Sequence, residues 1–132
     1  SDPPIKADAL VFEAVYATFE AATENRLKLY LGPLGSWLLP AAMKQVKPRL
    51  GVDPALLRPI DRLDAFNAPT LFIAGAADRH VSRAETQRLF DRAPGAKDLW
   101  IIAGAAHVDF HEFAKDAYET RLLSFLSPHL KR

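Results

Sequence analysis

Pro69-Thr70-Leu71-Phe72-Ile73-Ala74-Gly75-Ala76-Ala77-Asp78-Arg79-His80-Val81-Ser82-Arg83-Ala84-Glu85 is the stretch on which the reading of the whole chain turns. Residues 70–74 form a nearly continuous apolar run, rich in β-branched and aromatic types, entered through a proline and left through a glycine. That pattern describes a strand buried on both faces. The loop after the glycine carries a carboxylate, Asp78. Ser82 and Glu85 then supply the two halves of a capping box: the serine hydroxyl accepts from the first turn, and the glutamate reaches back to the serine backbone. A helix is expected to start there, to present Ala84, Leu89 and Phe90, and to stop near Ala93-Pro94-Gly95, because proline and glycine do not continue it.

Two further runs, residues 99–103 and 9–15, have the same strand-like character. Near the end of the chain, Phe113, Ala117, Tyr118, Leu122, Phe125 and Leu126 recur at spacings of three to four, one stripe of an amphipathic helix that ends at Ser127-Pro128. Strand, capped helix, strand and amphipathic helix make a βαβα pattern, so the fold class is α/β: a parallel sheet of at least three strands with flanking helices. Residues 17–67 read differently. Phe19, Leu27, Tyr30, Leu31 and Leu34 suit one helix, after which Pro33, Pro40, Pro48, Pro54 and Pro59 are expected to break the chain into short pieces. This is an irregular helical insertion, and its Trp37, Leu38, Leu39 and Met43 are expected to be core.

The chain has 132 residues, 49% of them apolar and 25% charged, enough for one modest core and so for one domain. Its net charge of +1 comes from interspersed residues rather than a block, which argues against nucleic acid as a partner. The absence of cysteine excludes a disulfide framework and a thiol nucleophile. No apolar run reaches the roughly 18–20 residues of a membrane-spanning helix. The expectation is a soluble chain, with the compartment left open and a slight lean towards the cytoplasm. Ser1-Asp2-Pro3-Pro4 contains no initiator methionine, and a strand as apolar as residues 9–15 would make an unprotected sheet edge. More strands are expected to precede it. Failing those, the chain is expected to self-associate through that edge.

Functional groups of an open parallel sheet gather in the loops that leave the C-terminal ends of its strands. Here one such loop carries Asp78 and the next, Gly104-Ala105-Ala106-His107, carries an imidazole. Neighbouring strands lie roughly 5 Å apart, so the two side chains can meet through one hydrogen bond, an acid orienting a base. Taken singly, each residue has a plainer explanation: a loop aspartate satisfying local amides, and a half-buried histidine bonded to backbone. His107-Val108-Asp109-Phe110-His111 also contains possible zinc ligands, but a catalytic zinc site wants three protein ligands and no distant third is evident. No metal and no cofactor are expected. Asp109 and His111 are assigned to the surface, His80 to the loop beside the acid, and Glu13 to a structural ion pair.

The segments 69–81 and 97–107 resemble the last two strands of the α/β-hydrolase superfamily with their triad acid and histidine. Residues 9–16 resemble the strand before them, where related sequences often carry Glu followed by Ser; here Ala14 takes the serine position. The flavour is that of the dienelactone-hydrolase and acyl-peptidase-like branch. The resemblance implies that residues 1–132 are the C-terminal portion of such a domain, with 17–67 as a cap-like insertion, Asp78 as the acid and His107 as the base. It also implies a serine hydrolase acting on an ester or related acyl bond. The nucleophile motif G-x-S-x-G is absent, and none of Ser1, Ser36, Ser82, Ser124 and Ser127 replaces it. The chain alone is therefore expected to be inactive. The competing function is a non-catalytic, flavodoxin-like binding or interaction module, since fold alone does not separate the two.

Overall fold

The computed structural model describes residues 6–130, and it places the three apolar runs side by side in one parallel sheet. In chain order the elements are β1 (Leu10–Glu13), α1 (Phe19–Leu31), α2 (Leu34–Leu50), two 3-10 turns (Pro54–Leu56 and Pro59–Ala65), β2 (Thr70–Gly75), α3 (Arg83–Arg92), β3 (Lys97–Ile102), α4 (Phe110–Phe113) and α5 (Lys115–Leu126). The strand order is β1-β2-β3, with Glu13 opposite Ile73 and Gly75 opposite Ile102. All three strands therefore run out at the same rim. Among the described residues β1 pairs only with β2.

The pleat of β2 divides the core. Phe72 points to one face, where Ala17, Leu63, Leu89 and Ala93 are buried with it and Phe12, Val15, Ile60, Phe90 and Leu99 pack around them. Leu71 and Ile73 point to the other face, with Ile102, Ala105 and Phe110 buried there and Trp100, Tyr118 and Phe125 packed against them. All six residues of β2 are buried, which is why the run needed no polar alternation. Burying Leu71, Phe72 and Ile73 contributes about 1.5–3 kcal/mol for each side chain. α3 begins as its capping box requires: Ser82 Oγ accepts from Glu85 N, and Glu85 Oε2 accepts from Ser82 N.

Between β1 and β2 the structure departs from the proline-broken picture. α2 runs for 17 residues straight through Pro40 and Pro48. An interior proline deletes one backbone hydrogen bond, and tertiary packing offsets that loss here because α2 lies against α1. The contact is tight at Gly35, where an added Cβ would stand 2.4 Å from the Leu27 carbonyl carbon. Pro54 and Pro59 do punctuate, each starting a 3-10 turn. Leu34 belongs to α2 rather than α1, and Trp37 is 78% exposed while Leu38, Leu39 and Met43 are half-buried, so Trp37 is not part of the core expected around it.

Two other expectations are corrected. The C-terminal amphipathic stripe is split at Ala114, whose extended φ of −140° separates α4 from α5 and leaves Phe113 exposed. Among the described residues Glu13, at the end of β1, finds no cation: its carboxylate accepts a hydrogen bond from the Tyr118 hydroxyl on α5. Among the described residues no helix is long and apolar enough to cross a membrane.

Burial first, and then the bond to Glu13, pushes the Tyr118 phenol up to about 12 from its ordinary 10.0. A value raised on folding means a contribution to stability that is intact below pH 10 and lost as the pH rises through about 12. Ultraviolet titration of phenolate formation should show a step near pH 12, and Tyr118→Phe should abolish it.

Candidate active site

The site is assembled by main chain before any side chain is considered. Beyond β2, Ala76 N donates to Ile102 O at 2.9 Å and Ala77 N donates to Ala105 O at 2.8 Å, so the two rim loops are bonded to each other. Such an approach is open only to glycine at the end of β2. A Cβ on Gly75 would meet Ala105 O at 2.3 Å and Ala106 O at 2.8 Å. Gly104, at φ +74°, then turns the second loop in a conformation that suits a residue without Cβ. Asp78 follows three positions after Gly75, and His107 three after Gly104.

The two side chains meet. His107 Nδ1 lies 2.9 Å from Asp78 Oδ2. The aspartate side chain is 1% exposed and the histidine 40%, so the acid is enclosed while the base stands open at the rim. The other carboxylate oxygen, Oδ1, accepts from His80 N at 2.7 Å and Val81 N at 3.0 Å. Those amides hold the carboxylate so that Oδ2 faces the imidazole. The His80 ring stacks on that of His107, with centroids 4.7 Å apart and planes 37° apart.

A brace behind the loop ties it to α1. Asn25 Nδ2 donates to His80 O at 2.9 Å and to Glu85 Oε2 at 2.6 Å. Glu85, 4% exposed, also takes the Ser82 backbone and hydroxyl on Oε2. The serines are engaged elsewhere. Ser36 donates to Glu24, Ser82 caps α3, and Ser124 and Ser127 bond back to Thr120 O and Leu123 O. Ser1 lies outside the described residues.

The sequence run that offered zinc ligands does not gather around a metal. Asp109 Oδ1 accepts from Glu112 N as the cap of α4, and His111 is 2.8 Å from Glu119. The structure instead brings Asp78, His80 and His107 together, with one potential ligand atom from each lying within 4.8 Å of the others. Sequence reasoning placed His80 beside the acid but not against the His107 ring, and it missed Asn25, whose contacts span 55 and 60 positions. Only the Ser82-x-x-Glu85 capping box gave a sign that a carboxylate would sit behind the loop.

YqkD of Bacillus subtilis (strain 168), an uncharacterized protein, is 28% identical over 121 residues, which are 91% of this chain and 39% of YqkD. The Pyrococcus furiosus esterase Pf2001 superposes with a TM-score of 0.66 and 19% identity, over 93% of this chain and 46% of the esterase. The chain has the fold of the C-terminal part of an α/β-hydrolase. Within that fold two more structures agree. The Pyrococcus horikoshii acylaminoacyl peptidase gives a TM-score of 0.63 at 16% identity, over 95% of this chain and 20% of the peptidase. MGS-MChE2, an α/β-hydrolase enzyme from a sediment metagenome of the Mar Chica lagoon in Morocco, gives 0.57 at 15%, over 92% of this chain and 50% of that one. The chain thus spans half or less of the length of each relative. No family model matches it.

Because Gly75 sets the distance between the two rim loops of this α/β-hydrolase fold, Gly75→Ala should cost about 1–3 kcal/mol through overpacking. It should also separate Asp78 from His107. Urea unfolding reads the first effect, and loss of the imidazole proton resonance shared with the carboxylate reads the second.

Proposed function

We propose that this chain supplies the acid and the base of a serine-hydrolase triad, Asp78 and His107, to an active centre whose nucleophile and oxyanion hole lie upstream in a longer protein. The observation that carries the reading is the 2.9 Å contact between an enclosed carboxylate and an open imidazole at adjacent strand ends. A binding module needs no such asymmetric pair. Asp78 would keep the proton of His107 on Nδ1, leaving the Nε2 lone pair free. Nε2 would take the serine proton as the serine oxygen attacks the acyl carbon, and would return it to the leaving alcohol as the ester bond breaks. A water, deprotonated by the same nitrogen, would then attack the acyl carbon, and the proton would pass from Nε2 to the serine oxygen as the acyl–serine bond breaks and the acid leaves. Asp78 would stabilise the imidazolium formed at each stage.

In this reading residues 17–67 form the cap of that centre. The hollow between Tyr16, at the rim exit of β1, and Phe19, Leu27 and Tyr30 of α1 is mostly apolar and suits an apolar acyl group. The substrate class is an ester or related acyl compound, and the reading calls for no cofactor.

The 132-residue chain by itself should be unlabelled by a fluorophosphonate probe and inactive on p-nitrophenyl esters. Labelling of the isolated chain that disappears in His107→Ala would overturn the proposal. In the longer protein, Asp78→Asn should lower kcat by about 10⁴ and His107→Ala by about 10⁶, with little change in folding.

The outer edge of β1 would be covered by upstream strands in the longer protein. In the isolated chain it should pair with a second copy. Light scattering should find dimers or larger species of the isolated chain, and a monomer at high concentration would contradict this edge reading.

A further inference from the structure

We propose that Asp78, His80 and His107 bind one divalent ion of the zinc class, and that an ion held there disables His107 as a base. The donor set is two imidazoles and one carboxylate, with potential ligand atoms all within 4.8 Å of one another. With no thiolate in the chain, that set suits zinc, cobalt or nickel ions and leaves one or more positions for water.

The geometry is close to what such an ion requires. Metal–nitrogen and metal–oxygen distances of about 2.0–2.2 Å place the ligand atoms of a tetrahedral shell roughly 3.3 Å apart. Asp78 Oδ2 and His107 Nδ1 are 2.9 Å apart already. The remaining closure, roughly 1.5 Å at most, falls to the His80 and His107 rings. Both rings are partly exposed, whereas the carboxylate is enclosed.

The surroundings hold the ligands in place as the outer shell of a metal site does. Asp78 Oδ1 is occupied by two backbone amides, which leaves Oδ2 to face the ion. The His80 carbonyl is anchored by Asn25, and its ring already lies against that of His107. Imidazoles ligate a metal as neutral rings through a lone pair, so in the bound site the carboxylate supplies the one negative charge of the donor set. Arg79, the cation of the loop, lines the hollow beside α1 with Asn25, Lys28 and Leu29. The rival ligands Asp109 and His111 are committed to the α4 cap and to Glu119.

Whichever nitrogen of His107 takes the ion, the base is lost. An ion on Nε2 occupies the lone pair that would accept the serine proton. An ion on Nδ1 selects the tautomer in which the ring's single proton has moved from Nδ1 to Nε2, and Nε2 then donates and no longer accepts. Binding of the ion stands on the coordinates of this chain alone; its inhibitory consequence rests on the serine-hydrolase reading.

Calorimetric titration of the chain with ZnCl₂, paired with the visible spectrum of its Co²⁺ complex, tests the site. One ion per chain is expected. His80→Ala, which leaves the backbone contacts of residue 80 intact, and Asp78→Asn should each weaken binding about tenfold or more, and His111→Ala less than about twofold. Absence of saturable binding, or binding that is indifferent to both His80→Ala and His80→Gln, overturns the proposal, as does binding lost in His111→Ala. In the longer protein Zn²⁺ should inhibit esterase turnover, and His80→Ala should raise the inhibitory concentration about tenfold relative to that variant's own metal-free rate. A chain that binds zinc through these residues while the longer protein shows no hydrolysis keeps the metal site and removes the hydrolase reading. Hydrolysis without zinc binding does the reverse.

Discussion

Two rim loops pressed together without a side chain between them are the constraint on which the site depends. Gly75 ends the central strand with its α-carbon against the carbonyls of Ala105 and Ala106, and the bonds from Ala76 and Ala77 to Ile102 and Ala105 close the seam. The separation of Asp78 and His107 is therefore a property of the backbone. Long flexible side chains would have to give up more rotamer freedom to reach the same contact, whereas Asp and His have little to lose. The burial of β2 on both faces keeps this seam from shifting, because moving the strand would expose Leu71, Phe72 and Ile73.

Behind the seam, the segment between β1 and β2 is coupled to the acid loop through Asn25. This amide reaches both the carbonyl of His80 and the carboxylate of Glu85. The arrangement carries a cost, since Glu85 is buried and its Oε1 has no hydrogen-bond partner among the described residues. A carboxylate kept under those conditions holds the loop by its other oxygen, which takes the Ser82 amide, the Ser82 hydroxyl and Asn25 together. Asn25 thereby ties α1 to the backbone of His80.

Much of the architecture was legible because β2, α3 and β3 are governed by short-range rules. An apolar run between Pro69 and Gly75, a serine three residues before a glutamate, and a proline-glycine stop leave few conformations open. The rim position of Asp78 and His107 followed from the parallel topology. Expectations failed where packing outweighed local preference. Pro40 and Pro48 sit inside α2 because that helix leans on α1, and Trp37 stands in solvent although its composition suggests a core. Ala114 breaks a stripe whose spacing was uniformly helical. Glu13 was given an ion pair, yet its partner is a phenol from a helix more than a hundred positions away.

The amino-acid sequence by itself determined the α/β class, the three strands with the capped helix between the last two, and the two loops that hold a carboxylate and an imidazole. Each of these is written in neighbouring residues, through hydrophobic period, capping and turn chemistry. Only the tertiary structure decided that Oδ2 of Asp78 faces Nδ1 of His107, that His80 lies against the same ring, and that Asn25 braces the loop from another helix. Those facts depend on ångström-scale distances between residues remote in the chain, which are fixed when the sheet packs and which no local pattern encodes.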